Sequence, residues 1–152
     1  MSEQTESTPD NFKFKRPVQI RFRDLDALGH VNNAVYITYF EMAREGYVKA
    51  IKLASDASAP ADERFPFIIA EISCTFLAPV TLDTDLVVYL RTSRMGNSSF
   101  DFDYLLVDEA SNCLMARGKS VQVSYDYKAG KPVRLPDEIR GLIEAYETKN
   151  CA

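Results

Sequence analysis

Two carboxylates, the one histidine of the chain and two amides fall between positions 24 and 33: Asp24, Asp26, His30, Asn32 and Asn33. The spacing predicts that this cluster sits just ahead of a helix. The first turn of a helix exposes unpaired N–H groups and a partial positive charge, which stabilise negative charge developing on a carbonyl oxygen. A carboxylate beside that turn can attack the carbonyl or activate a water against it. The parts therefore suit acyl transfer to water. Each residue taken singly also has an ordinary structural use: Asp24 and Asp26 suit turns, Asn32 or Asn33 suits a helix N-cap, and His30 suits loop packing. Spacing alone stops at a possible carboxylate site in front of a helix.

The elements that must position this loop are written on either side of it. Val18, Ile20 and Phe22 alternate with Gln19, Arg21 and Arg23, which predicts a half-buried strand running into the loop Asp24 to Asn33. From Ala34 to about Leu53 the period becomes helical through Tyr36, Tyr39 or Phe40, Ala43, Tyr47 and Ile51, with Glu41/Arg44 and Glu45/Lys49 spaced to pair outside. The first half of this helix is apolar nearly all round and predicts enclosure, as a sheet wrapped around it would provide. Residues 54 to 65 read as a polar loop. Strands are predicted near 66–78, 85–95, 99–108 and 113–126, joined by connections short enough for hairpins, so the sheet is mainly antiparallel. Pro136-Asp137-Glu138 opens a final helix packed through Ile139, Leu142, Ile143 and Tyr146.

Composition bounds what surrounds these elements. At 152 residues, with 46% hydrophobic and 26% charged residues, the chain is expected to be one α+β domain over residues 12–152 behind a mobile polar tail at 1–11. Lys and Arg number 18 against 22 Asp and Glu, a formal charge of -4, which disfavours nucleic acid as a partner. No apolar run has the length of a membrane span and no signal peptide is legible, so a cytoplasmic location away from membranes is expected. Cys74, Cys113 and Cys151 form neither a CxxC pair nor a cluster with histidine, so reduced thiols and no metal site are expected. Cys74 lies in a β-branched, aromatic run and reads as a small buried residue.

The run from Arg21 through Arg23-Asp24-Leu25-Asp26-Ala27-Leu28-Gly29-His30-Val31-Asn32-Asn33 to Tyr36, continuing to Tyr39-Phe40-Glu41-Met42-Ala43-Arg44, resembles hotdog-fold acyl-CoA thioesterases of the 4-hydroxybenzoyl-CoA thioesterase type. Glu71 to Val80 with Asp85, and Gly130-Lys131-Pro132 before Leu135-Pro136, extend the resemblance. It implies a long central helix wrapped by a five-stranded antiparallel sheet, with a short C-terminal helix and edge-to-edge pairing into a homodimer, or a homotetramer built from it. It also implies acyl-CoA as the substrate, with sites at the subunit interface and no cofactor, the CoA being part of the substrate. By the same resemblance Asp26 is the catalytic carboxylate, Asp24 and Gly29 support it, the backbone N–H of Asn33 is the oxyanion donor, and His30 acts beside Asp26. The chain departs from family members in which an asparagine stands two positions after the aspartate; here that position is Leu28, which favours an Asp26-led mechanism.

Coenzyme A carries phosphates, and Arg91, Arg94, Arg117, Lys119, Lys128, Lys131 and Arg134 are available to meet them; the sequence does not choose among these. Glu71 alternates toward one face of its strand, where an exposed position is the simpler reading. The aromatic residues of the long helix read first as core, leaving short, long and aromatic acyl groups open. A hotdog dimer that binds acyl-CoA without hydrolysing it is the alternative function, and a hydratase on the same fold is a third; the loop lacks the longer Asp-to-His spacing that the latter resembles.

Overall fold

A computed structural model of the protein describes residues 8–53 and 66–148. The polar loop expected at 54–65, the first seven residues of the tail expected at 1–11, and Cys151 lie outside the described residues. A single turn of 3-10 helix at Pro9–Asn11 precedes β1 (Phe14–Pro17), and a second turn at Phe22–Asp24 leads to α1 (Asn33–Ala50). β2 (Phe67–Phe76), β3 (Leu86–Met95), β4 (Ser99–Asp108) and β5 (Cys113–Asp126) follow, then a two-residue β6 (Lys131–Pro132) and the closing helix α2 (Asp137–Thr148).

The main sheet has the order β1-β3-β4-β5-β2, every neighbouring pair antiparallel, with β6 attached to the end of β5. Register shifts between Ile69 and Glu71, Thr92 and Arg94, and Leu106 and Val107 add the local twist that lets the sheet curl around α1. This is the long helix wrapped by a five-stranded antiparallel sheet, with a short C-terminal helix, that the sequence led us to expect. The four strands after α1 fall within two residues of their predicted limits.

Phe100, Phe102, Tyr104 and Leu106 of β4 all point inward and are buried, meeting Tyr36, Tyr39, Phe40, Ala43, Tyr47 and Ile51 in one core. Gly118 on β5 makes the closest approach: a Cβ there would lie 2.5 Å from Phe40, whose ring stacks on Tyr104 at 4.3 Å between centroids. The closing helix buries Ile139 and Ile143 and packs Leu142 and Tyr146 against the same core.

Two local expectations change. The first strand lies at Phe14–Pro17, not over Val18 to Phe22, because its partner β3 begins at Leu86 and the last bond across the pair is Val18 N–H to Leu86 O at 2.9 Å. Beyond that point the chain has no strand to pair with; Val18 and Ile20 stay buried, but Phe22 enters a turn with a period near three and is 82% exposed. On α1, Lys49 pairs with Glu45 at 2.9 Å as spaced, whereas Arg44 turns inward and donates to the Tyr104 hydroxyl at 3.1 Å instead of joining Glu41.

Candidate functional site

The loop ahead of α1 is a small closed hairpin. Leu25 and Val31 form an antiparallel bridge, Asp26 N–H donates to His30 O at 2.8 Å, and Gly29 N–H donates to Asp26 O at 3.0 Å. The turn requires a left-handed backbone at Gly29, φ 78°, which glycine adopts without steric cost. Val31 N–H then reaches Val80 O at 2.8 Å, fixing the hairpin to the connection between β2 and β3.

Asp24 anchors the inner side and is buried. Its Oδ2 accepts from the Arg21 N–H and from the Tyr39 hydroxyl, both at 2.9 Å, and its Oδ1 accepts from the Arg21 guanidinium at 3.1 Å. Burial pushes this carboxyl up, but the Arg21 amide, the Tyr39 hydroxyl and the Arg21 guanidinium outweigh it and hold the group below its ordinary 3.8. Burial and the same bond push the Tyr39 phenol well up. The Asp24 carbonyl also accepts the Asn32 N–H at 2.9 Å, so one residue ties the hairpin both to the cap and to the second turn of α1.

Asp26 is exposed at the tip. Its Oδ1 accepts from Leu28 N–H at 2.9 Å and His30 N–H at 3.4 Å, the turn role an aspartate commonly fills. Its Oδ2 accepts nothing from the described residues. One oxygen orients the carboxylate and the other stays open for chemistry. His30 is half-buried and meets Asp26 through its backbone; its imidazole makes no hydrogen bond among the described residues.

Asn32 is the N-cap, its side chain accepting from Ala34 N–H at 3.0 Å. Asn33 is the first residue of α1, and its N–H has no hydrogen-bond partner among the described residues. The hairpin thus brings Asp24, Asp26, Gly29, His30 and the Asn33 amide together at one end of α1.

Two residues of the neighbourhood are not legible in the sequence as site residues. Tyr39 reads there as core packing, and only its bond to Asp24 reveals the second role. Tyr36 is buried edge-on against Phe76 with ring centroids 4.8 Å apart; burial raises its phenol, the Val80 backbone offsets this in part, and the charges of Cys74 and Asp26 add to the rise. Cys74 is half-buried on β2, and burial pushes its thiol up to about 11, far from a reactive thiolate. Glu71 is exposed on β2.

Most of the basic residues singled out for phosphates have partners. Arg94 and Lys119 cover the buried Asp101 at 3.2 and 3.1 Å, Arg91 meets Asp103 at 3.3 Å and Arg134 meets Asp137 at 3.3 Å. Arg117 and Lys119 line an open groove of about 930 Å³ on the outer face of the sheet with Ser73 and Thr75. Among the described residues no group of three or more His, Cys, Asp or Glu side chains is arranged to hold a metal ion, and no helix is long and apolar enough to cross a membrane.

Comparison with known proteins places this geometry in a family. A thioesterase of Thermus thermophilus, solved with coenzyme A and Zn, superposes with a TM-score of 0.78 at 34% identity, covering 93% of this chain and 99% of that one. The Escherichia coli acyl-CoA thioester hydrolase YbgC is 29% identical over 83% of this chain and 92% of its own length. The uncharacterised Bacillus subtilis protein YsmA is 32% identical over 84% and 83%. The profile of the thioesterase-like superfamily matches residues 20–143, from before the hairpin to the closing helix, and the chain belongs to that superfamily.

Proposed function

We propose that the protein hydrolyses acyl-CoA thioesters, with Asp26 as nucleophile or general base and the first amides of α1, that of Asn33 foremost, as the oxyanion site. The observation that carries this reading is the division of labour on Asp26: Oδ1 is spent on the turn while Oδ2 accepts no hydrogen bond among the described residues, on a hairpin that leads straight into a helix whose first amide is unpaired among them. The thioester oxygen sits against that amide. In the water route, Asp26 takes a proton from water as the water oxygen bonds the carbonyl carbon; the tetrahedral intermediate then breaks its carbon–sulfur bond, the sulfur takes the proton that Asp26 holds, and CoA leaves as the thiol while Asp26 returns to the carboxylate. In the direct route Asp26 Oδ2 bonds the carbon, thiolate leaves, and water cleaves the resulting anhydride. Asp24 and Gly29 hold the hairpin in position, and the free imidazole of His30 is available to the thioester or to the departing sulfur.

The chain works as a homodimer in this reading, with acyl-CoA as its small-molecule partner. β2 is one edge of the sheet, and Ile68, Ile69 and Phe76 on it, with Leu77 just past its end, are exposed large apolar side chains. A long apolar edge is stabilised by pairing with a second copy. Within the superfamily, this reading assigns the chain to the 4-hydroxybenzoyl-CoA thioesterase type, with the acyl group left to the experiment. The experiment is free-thiol release from a panel of aliphatic and aromatic acyl-CoAs, with Asp26→Asn as control. Release that persists in a folded Asp26→Asn protein removes Asp26 from the mechanism. No release from any thioester removes the hydrolase.

A further inference from the structure

The turn at the tip of the hairpin runs from Asp26 to Gly29 and is closed by Gly29 N–H to Asp26 O at 3.0 Å. Gly, Pro, Asn, Asp and Ser are the residues that such turns favour. Asp26 and Gly29 already meet its needs, one by taking the Leu28 N–H on its Oδ1 at 2.9 Å and the other by its left-handed backbone. The residue between Ala27 and Gly29 is nevertheless a leucine. Leu28 is 80% exposed and packs with neither apolar cluster of the chain, so the fold gives no reason for a large apolar side chain there.

The position of Leu28 relative to the reacting group is fixed. With its amide 2.9 Å from Asp26 Oδ1, bond lengths alone keep Leu28 Cβ within roughly 5.5 Å of that oxygen. A thioester carbon that meets Asp26 Oδ2 brings its neighbours, the first acyl carbon and the sulfur-bound methylene of CoA, into the range that a leucine side chain sweeps. The inner side of the hairpin is filled by the Leu25 and Val31 bridge and by buried Asp24. Substrate is left the solvent side, where Asp26 and Leu28 are both exposed. Phe22 is equally exposed at 82%, but no hydrogen bond among the described residues ties it to Asp26.

We propose that Leu28 is a substrate-contacting residue that sets specificity: its side chain packs on the carbons flanking the thioester and displaces water from over Asp26 when acyl-CoA is bound. The inference rests on the thioesterase reading and adds to it the residue through which the site favours apolar carbons beside the carbonyl. Covering a solvated leucine is favourable, and here that gain appears only in the complex. A contact made alike in the ground state and the transition state changes KM and leaves kcat. A residue that only shaped the turn would do the reverse, lowering kcat by displacing Asp26 and lowering the melting temperature with it.

The test measures kcat and KM for wild type, Leu28→Asn, Leu28→Ala and Leu28→Met on acetyl-, butyryl- and hexanoyl-CoA. Thermal melting, light scattering and calorimetric binding of S-butyl-CoA, a thioether that cannot be hydrolysed, run alongside. KM for butyryl-CoA is expected to rise about tenfold in Leu28→Asn and Leu28→Ala, the lower end of what covering a leucine side chain gives. S-butyl-CoA affinity should fall in parallel, kcat, melting temperature and assembly state should hold, and Leu28→Met should stay close to wild type. A rise already present with acetyl-CoA upholds the contact on the CoA side, and one that grows from acetyl to butyryl upholds it on the acyl side. Phe22→Ala should leave KM unchanged; an equal rise there overturns the inference, because general apolarity around the hairpin would account for both. Unchanged KM in the Leu28 variants, or a fall in kcat and melting temperature in its place, overturns it and leaves hydrolysis standing. A shift of the Leu28 variants to a smaller assembly overturns it too, since the side chain would then face a second copy. S-butyl-CoA affinity that falls in the Leu28 variants, with no thiol release from any thioester by wild type, upholds the contact and overturns the hydrolase.

Discussion

The Tyr39 hydroxyl donates to Asp24 Oδ2 at 2.9 Å, joining the second turn of α1 to the base of the hairpin that carries Asp26. Because the Asp24 carbonyl also holds the cap residue Asn32, this contact sets where Asp26 stands relative to the first helix amide. Tyr39→Phe removes the donor and keeps the ring in the core. We expect a loss of about 1–3 kcal/mol in stability, the cost of leaving a buried charged acceptor short of a partner. A fall in kcat larger than the change in KM is also expected. Thermal melting and steady-state kinetics check both, and unchanged kcat removes Tyr39 from the positioning of Asp26.

The same cluster gives an acid-side pH dependence. Asp24 titrates lower in the folded chain than its ordinary 3.8, so it binds fewer protons folded than unfolded near that pH. Its contribution to stability is therefore fully present above pH 3.8 and is lost as pH falls through the depressed folded value. Denaturant midpoints for wild type and Asp24→Asn should differ most at neutral pH and converge in strong acid. A gap that widens on acidification contradicts the assigned direction.

Asp26 separates chemistry from folding by substitution. Asp26→Asn retains a side-chain oxygen for the Leu28 and His30 amides and loses the open basic oxygen; Asp26→Ala loses both. We expect a rate loss of roughly 10² to 10⁴ in each, the usual range for removing a general base. Only Asp26→Ala should lower stability measurably, by about 1 kcal/mol for the lost turn bonds. A pH–rate profile that keeps its acid limb in Asp26→Asn would show that another group is the base.

How much of this is legible in the sequence follows from where each residue draws its constraint. β4 declares itself because each inward aromatic is set by the residue two before it, and the period of two carries through Phe100, Phe102, Tyr104 and Leu106. β1 does not, because the end of a paired strand depends on where the distant β3 begins, and nothing in Val18 to Phe22 encodes Leu86. Within the site, the cap at Asn32 and the glycine turn are local and readable; of the two candidate cap residues it is Asn32 that caps. Tyr39 and Arg44 are hidden for the same reason as each other. Helical spacing says which face a side chain occupies, but not that its polar end finds a carboxylate fifteen residues back or a tyrosine sixty residues on.

The exposed edge supports a prediction about assembly. Ile68 and Leu77 are 36% and 47% exposed in the single chain, so Ile68→Lys with Leu77→Lys should cost little there. Across a shared β2 edge the same changes place like charges against an apolar strand. Light scattering after size exclusion should report a dimer for wild type and a shift to monomer for the double variant. A dimer that survives both charges does not use this edge.

Gly118 tests the packing beneath the site. The glycine sits on β5 opposite Cys74, its missing side chain leaving room for Phe40, and Phe40 in turn lies one residue after Tyr39 on α1. Gly118→Ala puts a carbon 2.5 Å from the Phe40 ring and 2.9 Å from the Ser73 carbonyl, the latter backbone that cannot swing aside. Relief must come from moving Phe40, which is fully buried and stacked on Tyr104, so α1 shifts with it. Overpacking of this kind costs about 1–3 kcal/mol, and displacement of α1 carries Tyr39 away from Asp24. The expected outcome is a lower melting temperature together with a reduced kcat, and a Gly118→Ala, Phe40→Leu double variant should recover much of the stability by vacating the contested space. If the double variant is no more stable than the sum of the two single changes, the contact between Gly118 and Phe40 is not what holds the helix against β5.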